Sequence, residues 1–202
     1  MLTYSVLQLI SQFFMHGKHI YLRPLLAEDS DAYFKWINDK ELVLKNAQFK
    51  PISKSAHEKW FENIVLDNSI IIFSIIANQN HKLIGSCSLR NIDLNHHNAE
   101  LQIRIGEIDY HGQGFGSEAI HLLIEYGFLK MNLKRIYLHV FSHNIAAIKA
   151  YRKCHFKQEG VLKKAAYING EYIDVIVMAI INEQPLHISS EGRRDNALSE
   201  LQ

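Results

Sequence analysis

Three glycines, Gly112, Gly114 and Gly116, stand close together in the segment RIGEIDYHGQGFGSEAI. The residues before them alternate between apolar and polar, as in a strand, and those after them have a helical period. The N–H groups at the start of a helix are unpaired and carry partial positive charge, so they suit an anion. Glycine lets a ligand approach that backbone and permits a positive φ. The segment therefore points to a phosphate site, although three glycines alone fit a connecting turn better.

A second pair of polar residues follows the alternating segment RIYLHVF. Asn144 stands where a helix is expected to begin and Tyr151 lies two helical turns later, which places both on one face, about 10 Å apart along the axis. Tyrosine stays protonated at neutral pH and can donate a hydrogen bond or a proton to a departing anion. Taken singly, each residue fits a structural role better, Asn144 as an N-cap and Tyr151 as a half-buried core residue.

The elements that must position these residues follow from hydrophobic period and turn residues. We predict strands near 19–25, 69–78, 82–93, 98–106, 135–141, 156–168 and 171–181, and helices over 27–39, 52–67, 117–131 and 144–154. Asn169 and Gly170 indicate a tight hairpin between the last two strands. The order β-α-α-β-β-β-α-β-α-β-β predicts a mixed α+β sheet, with the glycine turn between the fourth strand and the third helix.

Three segments together resemble the GNAT superfamily of acetyl-CoA-dependent N-acetyltransferases, namely YHGQGFGSEA, SHNIAAIKAYRKCHF and the final YINGEYIDVIVMAI. The resemblance covers residues 19–181 and is strongest to the group that holds spermidine, ribosomal-protein N-terminal and nucleotide-linked amino-sugar acetyltransferases. It implies an α+β fold with a mostly antiparallel seven-stranded sheet flanked by about four helices. It also implies acetyl-CoA as co-substrate and a primary amine as acceptor, and we expect no metal.

The resemblance further implies a set of site residues. The glycine loop would cradle the pyrophosphate of coenzyme A, and backbone groups of the preceding strand would hold the pantetheine arm in a gap beside that strand. Asn144 would contact the arm, and Tyr151 would protonate the leaving thiolate. The cofactor-binding residues implied in this way are Ile103, Arg104, Ile105, His111, Gly112, Gln113, Gly114, Phe115, Gly116 and Asn144.

Two positions depart from the residues usual in the family. His111 stands where Gln or Arg is usual, and because the backbone makes most of the anion contacts, we expect this to affect affinity more than chemistry. His155 stands where a glycine usually ends the last helix in a left-handed conformation. Histidine tolerates a positive φ better than most residues, so we expect little strain there.

The acceptor amine creates a need for a base. An amine like that of lysine has an ordinary pKa of about 10.4 and is mostly protonated at neutral pH. Only the neutral form attacks a thioester, so a base or a water chain must take the proton. Glu100, near the start of the strand that would line the cofactor, is the candidate base, and a salt bridge to Lys or Arg across the sheet fits it equally well. Backbone amides near Ile103 and Ile105 would stabilise the tetrahedral oxyanion.

Composition argues against several other classes of protein. A net charge of +1 does not suit a broad nucleic-acid surface. Cys87 and Cys154 form neither a disulfide framework nor a zinc motif, so we expect a cytoplasmic location, and no histidine pairs with a carboxylate or a cysteine at metal-ligand spacing. The apolar opening segment is too short to cross a membrane as a helix and lacks the basic start of a signal peptide.

We predict an N-terminal extension at 1–17, an acetyltransferase domain at 18–182 and a polar tail at 183–202. The glycines stand as G-x-G-x-G rather than as the G-x-G-x-x-G of a Rossmann turn, and Phe115-Gly116 occupy the place where a P-loop needs Lys-Ser/Thr. The favoured function is acetyl transfer to a small-molecule amine such as a nucleotide-linked amino sugar or a polyamine. A protein N-terminal acetyltransferase and a non-catalytic acyl-CoA sensor are the alternatives, and a homodimer stays open.

Overall fold

A computed structural model describes residues 14–64 and 66–183 of the chain. These residues build one eight-stranded sheet in the order β1-β2-β3-β4-β5-β6-β8-β7. The strands are β1 (Met15–His16), β2 (Ile20–Pro24), β3 (Ile71–Ala77), β4 (Leu83–Asp93), β5 (Asn98–Ile105), β6 (Arg135–Phe141), β7 (Lys157–Ile168) and β8 (Glu171–Ile181). Neighbouring strands are antiparallel except β5 and β6, which run parallel.

Helices cover both faces of the sheet. They are α1 (Ser30–Ile37), α2 (Lys40–Leu44), α3 (Lys54–Ile64), α4 (Phe115–Glu125) and α5 (Ile145–Lys153), with a π-helical turn, Tyr126–Lys130, continuing α4. Successive strand residues point to opposite faces, so the sheet contributes side chains to two apolar clusters, one on each face. Phe73 and Ile75 of β3 share the larger cluster with Leu123 of α4, whereas Ile72 packs in the smaller one with Trp36 of α1.

The strands β5 and β6 separate after a short stretch of pairing. Asn98–Glu100 pair with Arg135–Tyr137, yet β5 continues to Ile105 and β6 to Phe141. Past this point β5 pairs with β4 and β6 with β8, which leaves a gap between them. Because β5 and β6 are parallel, their carboxyl ends lie at the same edge of the sheet. The glycine loop follows β5 and Asn144 follows β6, so both lie at the mouth of the gap.

The α+β class and the predicted order of the longer elements are confirmed. Two short elements were not anticipated, the two-residue β1 and the five-residue α2, because neither is long enough to show a period. The sheet thus reaches into the predicted N-terminal extension, where Met15 and His16 pair with Leu22 and Tyr21 of β2. The domain boundaries stay predictions, since most of the proposed extension (1–13) and tail (184–202) lies outside the described residues.

Candidate active site

The glycine loop has the open backbone that an anion site requires. Gly112 and Gly114 have φ angles of +73° and +93°, and a Cβ added to either would meet no atom within 4 Å. Gly114 is the N-cap of α4, so its neighbours present the unpaired N–H groups of a helix start. Gly116 differs, because its φ is not positive and an added Cβ would lie 3.6 Å from Ile105 Cγ1. The positions that require glycine are therefore Gly112 and Gly114.

The side chains of the loop hold its shape. His111 Nε2 donates to the carbonyl oxygen of Ile105 at 2.8 Å, which ties the loop to the end of β5. The side-chain amide of Gln113 donates to the carbonyl of Asp109. Phe115 packs edge-on against Tyr110 at 5.3 Å between ring centroids. The histidine that replaces the family's usual Gln or Arg is therefore part of the loop's internal scaffold, and the anion contacts fall to the backbone.

The strand segment predicted to hold the pantetheine arm lines the gap. Ile103 and Ile105 pack on the larger apolar cluster, and Arg104 lies on the opposite face of the sheet, paired in register with Ser86. Among the described residues, the buried Nε of Arg104 has no hydrogen-bond partner. Burial lowers the pKa of Arg104. The guanidinium of Arg104 beside the gap therefore has one buried N–H donor that the described residues leave unpaired.

Glu100 lies where the two strands part, and its carboxylate is fully engaged. Oε1 lies 2.8 Å from His139 Nδ1, and Oε2 accepts from Asn91 Nδ2 at 2.9 Å. The side chain of Glu100 is 15% exposed and that of His139 is 40% exposed. The predicted alternative, an ion pair with Lys or Arg across the sheet, is replaced by a contact with histidine. No sequence signal pointed to His139, which lies 39 positions from Glu100 in the chain.

Asn144 caps α5, as its structural interpretation predicts. Its Oδ1 accepts from the N–H of Ala147 at 3.2 Å. Its Nδ2 donates to the carbonyl of Lys45 and to Oδ1 of Asn46, both at 3.1 Å. The side chain therefore connects the start of α5 with the segment after α2. Its predicted contact with the pantetheine arm stays a prediction.

Tyr151 is buried on the inner face of α5, with 7% of its surface exposed. Its ring packs edge-on against Phe156 at 5.9 Å. Burial, with a smaller contribution from the Cys154 thiol, raises the pKa of Tyr151 to about 12. Within the described part of the chain, its hydroxyl makes no hydrogen bond. A neutral hydroxyl in an apolar setting can donate to a new anion nearby. His155, just beyond α5, takes the left-handed conformation expected of it, with φ +67°.

A cleft of about 560 Å³ lies at the same edge of the sheet as the ends of β6 and of the β7–β8 hairpin. Its walls are Leu44 of α2, Ser142 and His143 after β6, and hairpin residues Lys164, Ile168, Asn169, Glu171, Tyr172, Ile173 and Asp174. The sequence did not anticipate this wall of the hairpin, since its cleft residues read as ordinary strand and turn positions.

Comparison with known proteins decides the family. A family profile described as an acetyltransferase (GNAT) domain matches residues 19–157, more than half of the chain. The chain is a GNAT acetyltransferase. It is 35% identical over 132 residues to the spermidine N(1)-acetyltransferase of Vibrio cholerae, which covers 65% of this chain and 75% of that enzyme. This GNAT acetyltransferase therefore uses acetyl-CoA as its co-substrate.

Solved structures agree with this assignment. The crystal structure of spermidine N-acetyltransferase from Vibrio cholerae in complex with CoA and spermine superposes with a TM-score of 0.75 at 31% identity, over 82% of this chain and 96% of that one. The ribosomal-protein-S5-alanine acetyltransferase of Vibrio fischeri shares the fold, with a TM-score of 0.74 at 22% identity over 85% of this chain and 99% of that one.

The described residues offer neither a metal-binding cluster nor a membrane-spanning helix. Across 14–64 and 66–183, no group of three His, Cys, Asp or Glu side chains is arranged to hold a metal ion. In the same residues, no helix combines the length and the apolar character needed to cross a membrane.

Proposed function

We propose that this GNAT acetyltransferase moves an acetyl group from acetyl-CoA to a primary amine of a polyamine by direct attack. The observation that carries the choice of acceptor is the similarity to spermidine acetyltransferases, which spans three quarters of the Vibrio cholerae enzyme in sequence and nearly all of its solved chain. The gap between β5 and β6 and the glycine loop at its mouth would supply the place for the co-substrate.

The co-substrate would lie across two elements. The pyrophosphate would accept hydrogen bonds from the N–H groups of the loop from His111 to Gly116, where the start of α4 favours negative charge. The pantetheine arm would run along Ile103–Ile105 in the gap and pair with backbone groups that no neighbouring strand occupies. This arrangement would bring the thioester to the inner end of the gap, near Glu100.

The chemistry needs a neutral amine and a stabilised leaving group. The amine nitrogen attacks the thioester carbon, and backbone amides near Ile103 and Ile105 would stabilise the oxyanion of the tetrahedral intermediate. The hydroxyl of Tyr151 would then donate to the departing sulfur. Burial raises the pKa of Tyr151 to about 12, and the same apolar setting also disfavours a bare thiolate. A hydrogen bond from the Tyr151 hydroxyl to the sulfur would lower the free energy of the thiolate in this apolar setting.

The cleft beside α2 offers features that suit a cationic acceptor. Glu171 is exposed and, among the described residues, its carboxylate has no ion-pair partner. Tyr172 lies beside it and is 67% exposed. Carboxylates and the faces of aromatic rings both attract ammonium groups. We propose that the second amine of a polyamine binds here while the first reacts in the gap.

One observation favours a different acceptor. Arg104 carries a buried guanidinium that the described residues leave without a hydrogen-bond partner at Nε, and such a group suits a phosphate or carboxylate. A nucleotide-linked amino sugar is therefore the second candidate, because it combines a primary amine with phosphates.

An acceptor panel tests the proposal. The purified protein is given acetyl-CoA with spermidine, spermine, a nucleotide-linked amino sugar or a peptide that begins with alanine, and kcat/KM is measured for each. We expect a polyamine to be preferred. Glu171→Gln should raise its KM about two- to fivefold, the size expected of one exposed charge pair. Glu62→Gln, at an exposed position of α3 outside the cleft, is the matched control. A preference for the amino sugar that is lost in Arg104→Met would replace the polyamine proposal.

A further inference from the structure

A histidine–carboxylate pair stands at the inner end of the gap. The last residues paired between β5 and β6 are Glu100 and Tyr137, and His139 is the next residue of β6 on the same face of the sheet. His139 Nδ1 lies 2.8 Å from Glu100 Oε1. The pair therefore bridges the two strands at the point where they part, which is where the proposed path of the pantetheine arm ends.

The hydrogen bonds around Glu100 make it a poor proton acceptor. Both of its oxygens already accept, one from His139 and the other from Asn91 at 2.9 Å. A carboxylate only accepts hydrogen bonds, so the proton in the contact with His139 belongs to Nδ1 of the imidazole. The neutral imidazole then has its lone pair on Nε2. The basic atom of this pair is thus on His139, and Glu100 fixes the tautomer and the orientation of the ring.

The other groups around His139 leave that atom accessible. Its ring contacts Tyr137 edge-on at 5.8 Å between centroids, and its register partner on β8 is the apolar Val177. The other charged groups on this face of the neighbouring strands include Arg90 of β4, which donates to Gln102 of β5, Asp93 of β4, which is paired with His96, Arg104 of β5, Arg135 of β6, which is paired with Glu159 of β7, and Glu171 at the start of β8. The His139 side chain is 40% exposed, whereas Glu100 is largely covered.

We propose that His139 Nε2 is the base that takes the proton from the acceptor nitrogen, with Glu100 as its positioning residue. This inference rests on the proposed function and specifies its proton path. The amine enters as an ammonium ion and leaves as an amide, so its nitrogen loses two protons. His139 passes one to solvent when the neutral amine forms. The second leaves the nitrogen after the N–C bond forms and ends on the sulfur when the C–S bond breaks, so one proton is released per turnover.

Imidazole suits this role because its ordinary pKa lies close to neutrality, where a general base works best. The exposed position of His139 also gives the proton a direct route to water. A carboxylate in the same place would be a much weaker base, since the ordinary pKa of glutamic acid lies near 4.3. The arrangement therefore assigns the chemistry to the histidine.

The test compares three variants by pH–rate profile, with acetyl-CoA and the amine that the wild-type protein uses best. His139→Gln should lower kcat/KM about 10²- to 10⁴-fold and remove the inflection that a catalytic base gives to the wild-type profile. Glu100→Gln should keep an inflection but lower the rate about 10- to 100-fold, because the ring loses a charged hydrogen-bond partner. His96→Gln is the matched control, since His96 forms an equivalent pair with Asp93, at 2.8 Å, in the exposed β4–β5 turn.

Binding of acetyl-CoA, measured by calorimetry, and the midpoint of thermal unfolding are recorded for each variant. We expect both to be unchanged in His139→Gln, and His139→Asn serves in its place if that protein does not fold. A variant at position 139 that retains the wild-type rate and inflection overturns the inference. A variant at position 139 whose rate falls only by as much as its acetyl-CoA affinity also overturns the inference. A wild-type protein that acetylates no amine refutes the proposed function itself, which is a separate outcome.

Discussion

Replacing Gly114 by alanine separates the backbone strain of the glycine loop from its contact with the co-substrate. Gly114 has a φ of +93°, and an added Cβ would meet no protein atom within 4 Å. The methyl group therefore causes no clash in the free protein. It projects instead into the open space beside the N–H groups of α4, where the pyrophosphate is proposed to bind. The expected damage is to binding rather than to folding.

The expected changes in unfolding temperature and in acetyl-CoA affinity can both be given. Holding a non-glycine residue in the left-handed region costs about 1–2 kcal/mol. For a chain of this size, that lowers the midpoint of thermal unfolding by about 2–8 °C. Displacing the pyrophosphate from one N–H group removes a hydrogen bond to a charged partner, worth about 1.5–3 kcal/mol. The dissociation constant for acetyl-CoA should therefore rise about 10- to 100-fold.

A matched glycine provides the control. Gly170, in the turn of the β7–β8 hairpin, has a φ of +91°, and an added Cβ there also meets nothing within 4 Å. Gly170→Ala should show the same fall in unfolding temperature with unchanged acetyl-CoA affinity. Calorimetric titration with acetyl-CoA and a thermal melt of both variants make the comparison. Equal affinities for acetyl-CoA in Gly114→Ala and Gly170→Ala would refute the placement of the pyrophosphate.

Four further changes test other parts of the account. Tyr151→Phe should lower kcat and leave acetyl-CoA affinity unchanged. Positioned proton transfer contributes ~10²–10⁴-fold, and we expect the lower end of that range because water can substitute for the hydroxyl. An unaltered kcat, measured where chemistry limits the rate, would make Tyr151 a packing residue. Burial alone would raise the pKa of Glu107, but hydrogen bonds from Lys82, Trp36 and Lys35 lower it from 4.5 to about 2. The wild type should therefore lose about 1–3 kcal/mol of unfolding free energy as the pH falls from about 4.5 to about 2, whereas Glu107→Gln should lose none of this contribution. Arg104→Met removes a guanidinium whose buried Nε has no hydrogen-bond partner among the described residues, and it should raise the unfolding midpoint by about 2–6 °C; a lower midpoint would show that the guanidinium stabilises the fold. A chain that begins at Phe14 should unfold at the same temperature as the full chain, and a lower midpoint would assign residues 1–13 to the fold.

Much of the fold was accessible from the sequence because most elements are long and strongly periodic. The alternation in RIYLHVF and the helical period after Gly116 each span several residues, and the structure forms the corresponding β6 and α4. The short elements carry no such signal. The strand β1 has two residues, and it forms because Met15 and His16 find partners on β2, a tertiary cause that local pattern does not reveal.

The candidate site also contains residues that the sequence predicted and residues that it did not. Gly114 and Asn144 were accessible because a left-handed N-cap glycine and a capping asparagine leave local marks in the sequence. The pairing of Glu100 with His139 was not, since it depends on the parallel register of β5 and β6 across many intervening residues. The hairpin wall of the cleft was missed for the same reason, because only the tertiary fold brings the hairpin opposite Leu44 of α2.

The most direct test of the central claim is to follow the thiol and the amide in one reaction. The purified wild-type protein is mixed with acetyl-CoA and spermidine, free thiol is measured continuously, and acetylated spermidine is quantified by mass spectrometry in the same samples. Direct transfer predicts that thiol and N-acetylspermidine appear together in equal amounts, and that neither appears faster than the uncatalysed background when the amine is omitted. Thiol release without amide, or tight acetyl-CoA binding with no release from any amine, would contradict the account.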